Sequence, residues 1–240
     1  MTASRTAIVT GAARRVGRAV AQALLADGWA VVAHVHHDGD DPPPGSVKAV
    51  ADLADAAAAA TIFEAAEAPV RLLVNCAARF SADRIGAADA DEFEAHMAVN
   101  ARAPMLLIDE LARRHGGGEA LVVNITDAKL AAPNPDYLSY TLSKYALAGL
   151  TEVAARALAG RGIRVNAIAP ALMLPSGPQD ESQFEKVHAL NPLRRGVEIA
   201  DLVSAIRFLV EQPAITGQTL LIDGGQSFLS LTRDVQFLEQ

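Results

Sequence analysis

The sequence predicts an α/β fold: a doubly wound, seven-stranded parallel sheet with helices on both faces. Three observations carry this. Apolar runs of strand length alternate with longer helical stretches along the whole chain, which implies a parallel sheet covered on both sides. A length of 240 residues with no internal repeat and no interdomain linker suits one α/β domain spanning 1–240. A glycine-containing turn follows the first strand and opens the first helix, the place where doubly wound sheets bind phosphate groups.

In chain order, Thr6–Thr10 reads as the first strand and Val16–Asp27 as the helix after it. Ala30–His34 and Val47–Ala51 are the second and third strands, and Asp55–Ala66 is an alanine-rich helix. Arg71–Asn75 is the fourth strand. Asp89–Arg114 reads as one long helix, capped by Asp89 or Asp91 and ended by Gly116, Gly117 and Gly118. Leu121–Ile125 is the fifth strand, Tyr137–Leu158 a second long helix closed by Gly160, and Arg164–Ala169 the sixth strand. Glu198–Gln212 is the last helix and Gln218–Ile222 the last strand. Between strands two and three only His37–Ser46 is available, and it contains Pro42, Pro43 and Pro44. Consecutive prolines exclude a helix interior, so a shortened, extended crossover is expected there.

Composition narrows the function classes. With 21 basic and 28 acidic residues the formal charge is −7, which argues against nucleic acid or an anionic membrane as partner. No run is long and apolar enough to span a bilayer, and Met1–Arg5 is too short for a signal peptide. The single cysteine, Cys76, forms neither an internal disulfide nor a zinc site, so a reducing cytoplasm is expected. The histidines match no structural metal spacing, and no metal is expected.

The turn after the first strand reads Thr10-Gly11-Ala12-Ala13-Arg14-Arg15-Val16-Gly17. Gly11 permits a tight turn, Gly17 permits close helix packing, and the helix N-terminus offers free N–H groups to a phosphate. The end of the second strand, where an acidic residue would hold a free ribose diol, is Ala33-His34-Val35-His36-His37-Asp38. With Arg14 and Arg15 near, NADP(H) is favoured over NAD; Asp38 is the contrary sign, and the histidines read equally as solvated loop residues. Farther along, Tyr140 and Lys144 lie four apart and share one helix face. A tyrosine with an ordinary pKa near 10 becomes a usable acid–base group beside an ammonium. Taken alone, the pair reads better as a solvent-facing helix pair.

The chain resembles the classical short-chain dehydrogenase/reductases. The matching segments run from Thr10 to Gly225: Thr10-Gly11…Gly17, Asp52-Leu53, Asn75-Cys76-Ala77, Asn100, Tyr140…Lys144, Asn166-Ala167-Ile168-Ala169-Pro170 and Asp223-Gly224-Gly225. The resemblance implies a Rossmann fold and a nicotinamide cofactor held by Gly11, Arg14, Arg15, Val16 and Gly17 at its phosphates. It places Asp52 and Leu53 at adenine, and Asn75, Cys76, Ala77 and Pro170 toward the nicotinamide. His36 and His37 take the place beside the ribose phosphate. It implies Tyr140 as proton donor, Lys144 lowering the tyrosine pKa and binding ribose, and Asn100 supporting a water relay to Lys144. It also implies a dimer or tetramer built on the two long helices.

Three departures resemble the pteridine reductases within that family. Arg15 stands for the usual middle glycine of the turn. Asp127 stands for the usual serine thirteen residues before the tyrosine, and Phe80 follows the Asn75 segment. The resemblance implies Arg15, Phe80, Asp127 and Tyr140 as pterin-binding residues and a substrate loop over about 171–195. The chemistry is consistent: protonating a C=N nitrogen needs an acid, and a carboxyl in a partly dry pocket is a better one than a serine hydroxyl. Phe80 reads equally as a loop residue packed on the core. Two other functions stay open: reduction of a carbonyl (a 3-oxoacyl substrate, a small ketone or an aldehyde), and a non-catalytic dinucleotide-binding sensor, against which the intact Asn100–Tyr140–Lys144 set speaks.

Overall fold

The computed structural model describes residues 5–175 and 181–237. Seven parallel strands form one sheet in the order β3-β2-β1-β4-β5-β6-β7. They are β1 (Thr6–Val9), β2 (Ala30–Val35), β3 (Val47–Val50), β4 (Val70–Asn75), β5 (Ala120–Ile125), β6 (Ile163–Pro170) and β7 (Thr219–Ile222). The helices are α1 (Arg15–Ala26), α2 (Ala58–Glu64), α3 (Ala90–Met97), α4 (Ala103–Arg114), α5 (Leu138–Leu158), α6 (Glu181–His188) and α7 (Ile199–Glu211). Among the described residues, no helix is long and apolar enough to cross a membrane.

Strand alternation sorts the apolar residues into two layers. Ile8, Val32, Leu73, Val122 and Val165 face α2, α4 and α5 and pack with Ile62, Leu107 and Leu111. Their sequence neighbours Val9, Val31, Val74 and Val123 face the other side and pack with Val20 and Leu24 of α1 and Leu202, Ile206 and Leu209 of α7. Both faces of the five central strands are therefore dry, and every strand delivers its carboxyl end to one common edge.

Four elements differ from the expectation. The long helix expected over 89–114 is broken by a π-helical turn at Ala98–Arg102. Pro104 accounts for it: it has no N–H for the Asn100 carbonyl and its ring crowds that carbonyl, so the ladder slips and the Ala103 N–H bonds to the Ala98 carbonyl. The helix expected over 55–66 is shorter because Asp52 and Asp55 accept from the N–H groups two residues on, at 2.9 Å each, forming turns instead. Gly160 does not close α5; it lies in a 3₁₀ turn, and Gly162, at φ +76°, makes the left-handed reversal. The substrate loop over 171–195 contains α6, and its residues 176–180 lie outside the described residues. The crossover from β2 to β3 holds no helix, as the three prolines require.

Gly162 combines a positive φ with a close approach: a Cβ there would lie 2.7 Å from the Gly118 carbonyl oxygen. Gly162→Ala is expected to destabilise the protein by about 1–3 kcal/mol, read as a lower urea midpoint at unchanged slope. Wild-type stability in that variant would refute the constraint.

Candidate active site

A cavity of about 740 Å³ runs along the carboxyl edge of the sheet. Gly11 after β1, His36 after β2, Cys76 after β4, Thr126 and Asp127 after β5 and Ala171 after β6 all line it. That is where open parallel sheets bind ligands.

At one end the turn after β1 is compressed. Gly11 adopts φ +69°, and a Cβ on it would meet the Ala77 Cα at 3.0 Å; one on Gly17 would meet the Gly11 carbonyl oxygen at 2.3 Å. Helix α1 thus packs directly on the turn. Its N-cap, Arg14, makes no side-chain cap, and its first turn holds no acidic residue. Uncapped N–H groups beside Arg14 and Arg15 suit an anionic ligand. Arg15 itself takes φ +51°, a strained value for a residue with a Cβ. Its guanidinium reaches across to donate to the Pro175 carbonyl at 2.8 Å, joining the turn to the loop after β6.

Thr10, just before the turn, accepts the N–H groups of Cys76 and Ala77 at 2.9 and 3.0 Å. His34, read above as a solvated residue, is buried; its ring accepts the Gly11 N–H at 3.1 Å. The exposed pair His36 and His37 stack at 3.9 Å and line the cavity with Asp52 and Leu53. Asp38 is engaged by Lys48, at 3.4 Å, away from the lining. Asp40 lines the cavity in its place and accepts the His37 N–H at 2.9 Å.

At the other end, Tyr140 donates its phenolic proton to Asp127 Oδ2 at 2.7 Å. Asp127 Oδ1 accepts the Lys129 N–H at 2.8 Å, which fixes the carboxylate rotamer. Lys144 Nζ donates to the Ile125 carbonyl at 2.7 Å and lies 5.6 Å from the Tyr140 ring centre. Burial, with smaller opposing effects from its hydrogen bonds and the Lys144 charge, pushes the Asp127 carboxyl up. Burial and the Asp127 charge push Tyr140 well above its ordinary value, and burial pulls Lys144 down. The resemblance implied a Tyr140 lowered by Lys144; here the adjoining carboxylate and the dry surroundings reverse that direction. Burial pushes the Cys76 thiol up to about 11, which makes it a poor nucleophile.

Phe80 lines the cavity, edge-on to Tyr140 at 4.7 Å and stacked on Tyr137 at 4.3 Å. The segment carrying it is anchored to α5. Asp83 accepts the Ser139 N–H at 3.0 Å and its hydroxyl at 2.5 Å, capping the helix that bears Tyr140. Asn100 stands behind the same segment. Its Oδ1 accepts the Arg79 N–H at 2.7 Å, and both Nδ2 protons go to the Arg79 carbonyl and Ser143 Oγ, each at 2.9 Å. The Asn100 side chain is thus committed to Arg79 and Ser143 and does not bond Lys144 directly. Asn75 also lies behind the cavity, donating to Asn124 at 2.8 Å. Pro170 and Ala77 line it.

Sequence reasoning missed the C-terminal segment. Leu231, Asp234, Val235 and Gln236 line the cavity. Tyr137 donates to the Gln236 side chain at 2.7 Å, and Asp136 accepts both Arg233 Nε and the Asp234 N–H at 2.8 Å. No local pattern marks these contacts, which join residues about a hundred positions apart.

A family profile described as enoyl-(acyl carrier protein) reductase, a short-chain dehydrogenase/reductase profile, matches residues 11–227. The chain belongs to the short-chain dehydrogenase/reductase family. Among short-chain reductases it is similar to pteridine reductase 1 of Leishmania tarentolae, 30% identical over 285 aligned positions that cover 95% of this chain and 99% of the relative. A crystal structure of FolM alternative dihydrofolate reductase 1 from Brucella canis, complexed with NADP, superposes with a TM-score of 0.88 at 35% identity, covering 95% of this chain and 96% of that one. A 3-oxoacyl-[acyl-carrier-protein] reductase of Staphylococcus epidermidis is 30% identical over 92% of this chain and 98% of its own length.

The Asp83 cap predicts that Asp83→Ala loosens the first turn of α5. A loss of about 1–2 kcal/mol is expected, with a several-fold fall in turnover. Unchanged melting and unchanged turnover would show that the cap does not position Tyr140.

Proposed function

We propose that this short-chain enzyme is an NADPH-dependent reductase of a pterin C=N bond. The observation that carries the reading is the Tyr140–Asp127 hydrogen bond of 2.7 Å, in a cavity that the aromatic ring of Phe80 also lines. The chain is an oxidoreductase and its cofactor is NADP(H). The compressed Gly11 turn and the uncapped N-terminus of α1 fit that group. Gly11, Arg14, Arg15, Val16 and Gly17 would hold its diphosphate, His36 and His37 its ribose phosphate, and Asp52 and Leu53 its adenine. Cys76, Ala77, Lys144 and Pro170 would flank its nicotinamide end.

When bound, NADPH supplies a hydride to the carbon of the C=N bond. The protein supplies the proton to the nitrogen. Asp127 is pushed up by burial and so holds a proton nearer neutral pH than an ordinary carboxyl. With Asp127 protonated, its carboxyl donates across the 2.7 Å contact to the Tyr140 oxygen, so the phenol passes its proton to the nitrogen as it takes one from Asp127, and the carboxylate is left beside Lys144. Arg15 and Phe80 bind the heterocycle, Lys144 positions ribose beside Tyr140, and Asn100 acts by holding Arg79 and the start of the Phe80 segment. Similarity to pteridine reductase 1 and to the Brucella FolM enzyme supports the pterin; similarity to 3-oxoacyl reductases supports a carbonyl as the second reading.

The whole chain is proposed to act as one cytoplasmic domain, with 171–195 as its substrate loop. Met105 on α4 and Leu142, Tyr145 and Val153 on α5 are exposed apolar side chains. A homodimer or homotetramer would cover this face. Light scattering is expected to read two or four chains, and Leu142→Glu with Val153→Glu to shift the mass toward one; a monomeric wild type refutes the assembly.

The substrate reading is tested by NADPH oxidation with one dihydropterin and one ketone. Dihydropterin turnover is expected to exceed ketone turnover and NADPH to outperform NADH. Asp127→Asn should lower dihydropterin turnover by about 10². Wild-type turnover should fall as pH rises through the elevated Asp127 titration, because the protonated acid is the donor, and that limb should vanish in Asp127→Asn. Reduction of the ketone alone, or an unaffected Asp127→Asn, would overturn the pterin reading.

A further inference from the structure

His34 lies on β2, under the cofactor turn, and is buried at 3% exposure. It makes three contacts there. Its carbonyl accepts the Ala12 N–H at 2.8 Å, its Nδ1 lies 3.1 Å from the Gly11 nitrogen, and its Nε2 lies 3.0 Å from the Ala51 carbonyl oxygen. Backbone chemistry assigns the tautomer: an amide N–H donates and a carbonyl accepts, so Nδ1 is bare and Nε2 carries the proton. Only the neutral ring satisfies both neighbours. An imidazolium would set an N–H against the Gly11 N–H.

We propose that His34 is a positioning residue for cofactor binding: its neutral ring struts the Gly11 turn against Ala51, and protonation at Nδ1 releases the turn and weakens NADP(H) binding. The inference rests on the cofactor reading above. Ala51 directly precedes Asp52 and Leu53, which line the adenine end of the cavity, so one ring ties the phosphate end to the adenine end. Three titratable groups act on it from the surrounding elements: His36 after β2, Asp52 after β3 and Asp40 in the crossover. Arg14 in the turn acts on Asp40. Burial is the largest influence and holds His34 below its ordinary value, with the Ala51 bond and the two carboxylates opposing. The sign follows: binding is complete at and above ordinary histidine pH and is lost as pH falls through the lowered value.

The test is calorimetric titration of NADP⁺, which is stable in acid, into wild type, His34→Gln and His34→Leu from about pH 8 to about pH 5. Glutamine keeps one acceptor and one donor at a similar spacing and does not titrate in this range. The rest of the site is the same in wild type and His34→Gln, so the ratio of their Kd values reports the substitution at position 34. The ratio is expected to stay within about threefold at the upper pH and to move at least fivefold in favour of His34→Gln at the lower. His34→Leu leaves two backbone groups unpaired and is expected to bind about tenfold more weakly at every pH. If that variant does not fold, the His34→Gln series decides. A ratio independent of pH, or wild-type affinity in His34→Leu, would overturn the proposal. A wild type that binds no NADP⁺ at any pH would instead overturn the cofactor reading, and the strut with it.

Discussion

Tyr140 and Asp127 meet across 2.7 Å, although one begins a helix and the other follows a strand. The contact depends on two things being fixed independently. The end of β5 is fixed by its parallel register with β4 and β6, which pairs Ile125 with Ile168. The start of α5 is fixed by Asp83, which caps Ser139, and by the Phe80 segment, which Asn100 holds at Arg79. The fold thus spends long-range contacts on a few atoms at one edge of the sheet. That is the arrangement acid–base chemistry needs, since a misplacement of one ångström costs most of the rate.

What the sequence made legible follows the range of the physics. The succession of strands, the helix-free crossover and the glycine turn between the first strand and the first helix depend on patterns within some ten residues, and these read correctly. The π-helical turn was also encoded locally, in Pro104 standing four residues after Asn100, but a helical period hides a single proline in a long apolar pattern. His34 could not be distinguished from His36 and His37, because only the pairing of β2 with β1 and β3 buries one ring and exposes the next two. The C-terminal wall was invisible for the same reason: the bonds from Asp136 to Arg233 and from Tyr137 to Gln236 are purely tertiary.

Both ends of the cavity rely on the protonation state of a buried group that backbone partners orient. His34 is held neutral between an N–H and a carbonyl, and Asp127 is held in place by the Lys129 N–H. In each case burial is the larger influence and shifts the titration toward the uncharged species, while the backbone bond that orients the group opposes that shift.

Asp127 has a consequence for how Tyr140 can give up its proton. With a serine in its place, Tyr140 would face Lys144 without a neighbouring anion, and its phenolate would be within reach for abstracting a proton from an alcohol. With the carboxylate there, the charges of Asp127 and Lys144 balance while Tyr140 keeps its proton. Removing that proton would leave a net negative charge in a dry pocket, which is why Tyr140 is pushed well above its ordinary value. The aspartate therefore makes loss of the Tyr140 proton unfavourable unless Asp127 itself supplies the replacement, so that a proton given to the substrate leaves a single anion, the carboxylate, beside Lys144. A pair built this way suits an acceptor that needs a whole proton on nitrogen better than one that needs only a hydrogen bond to a developing alkoxide.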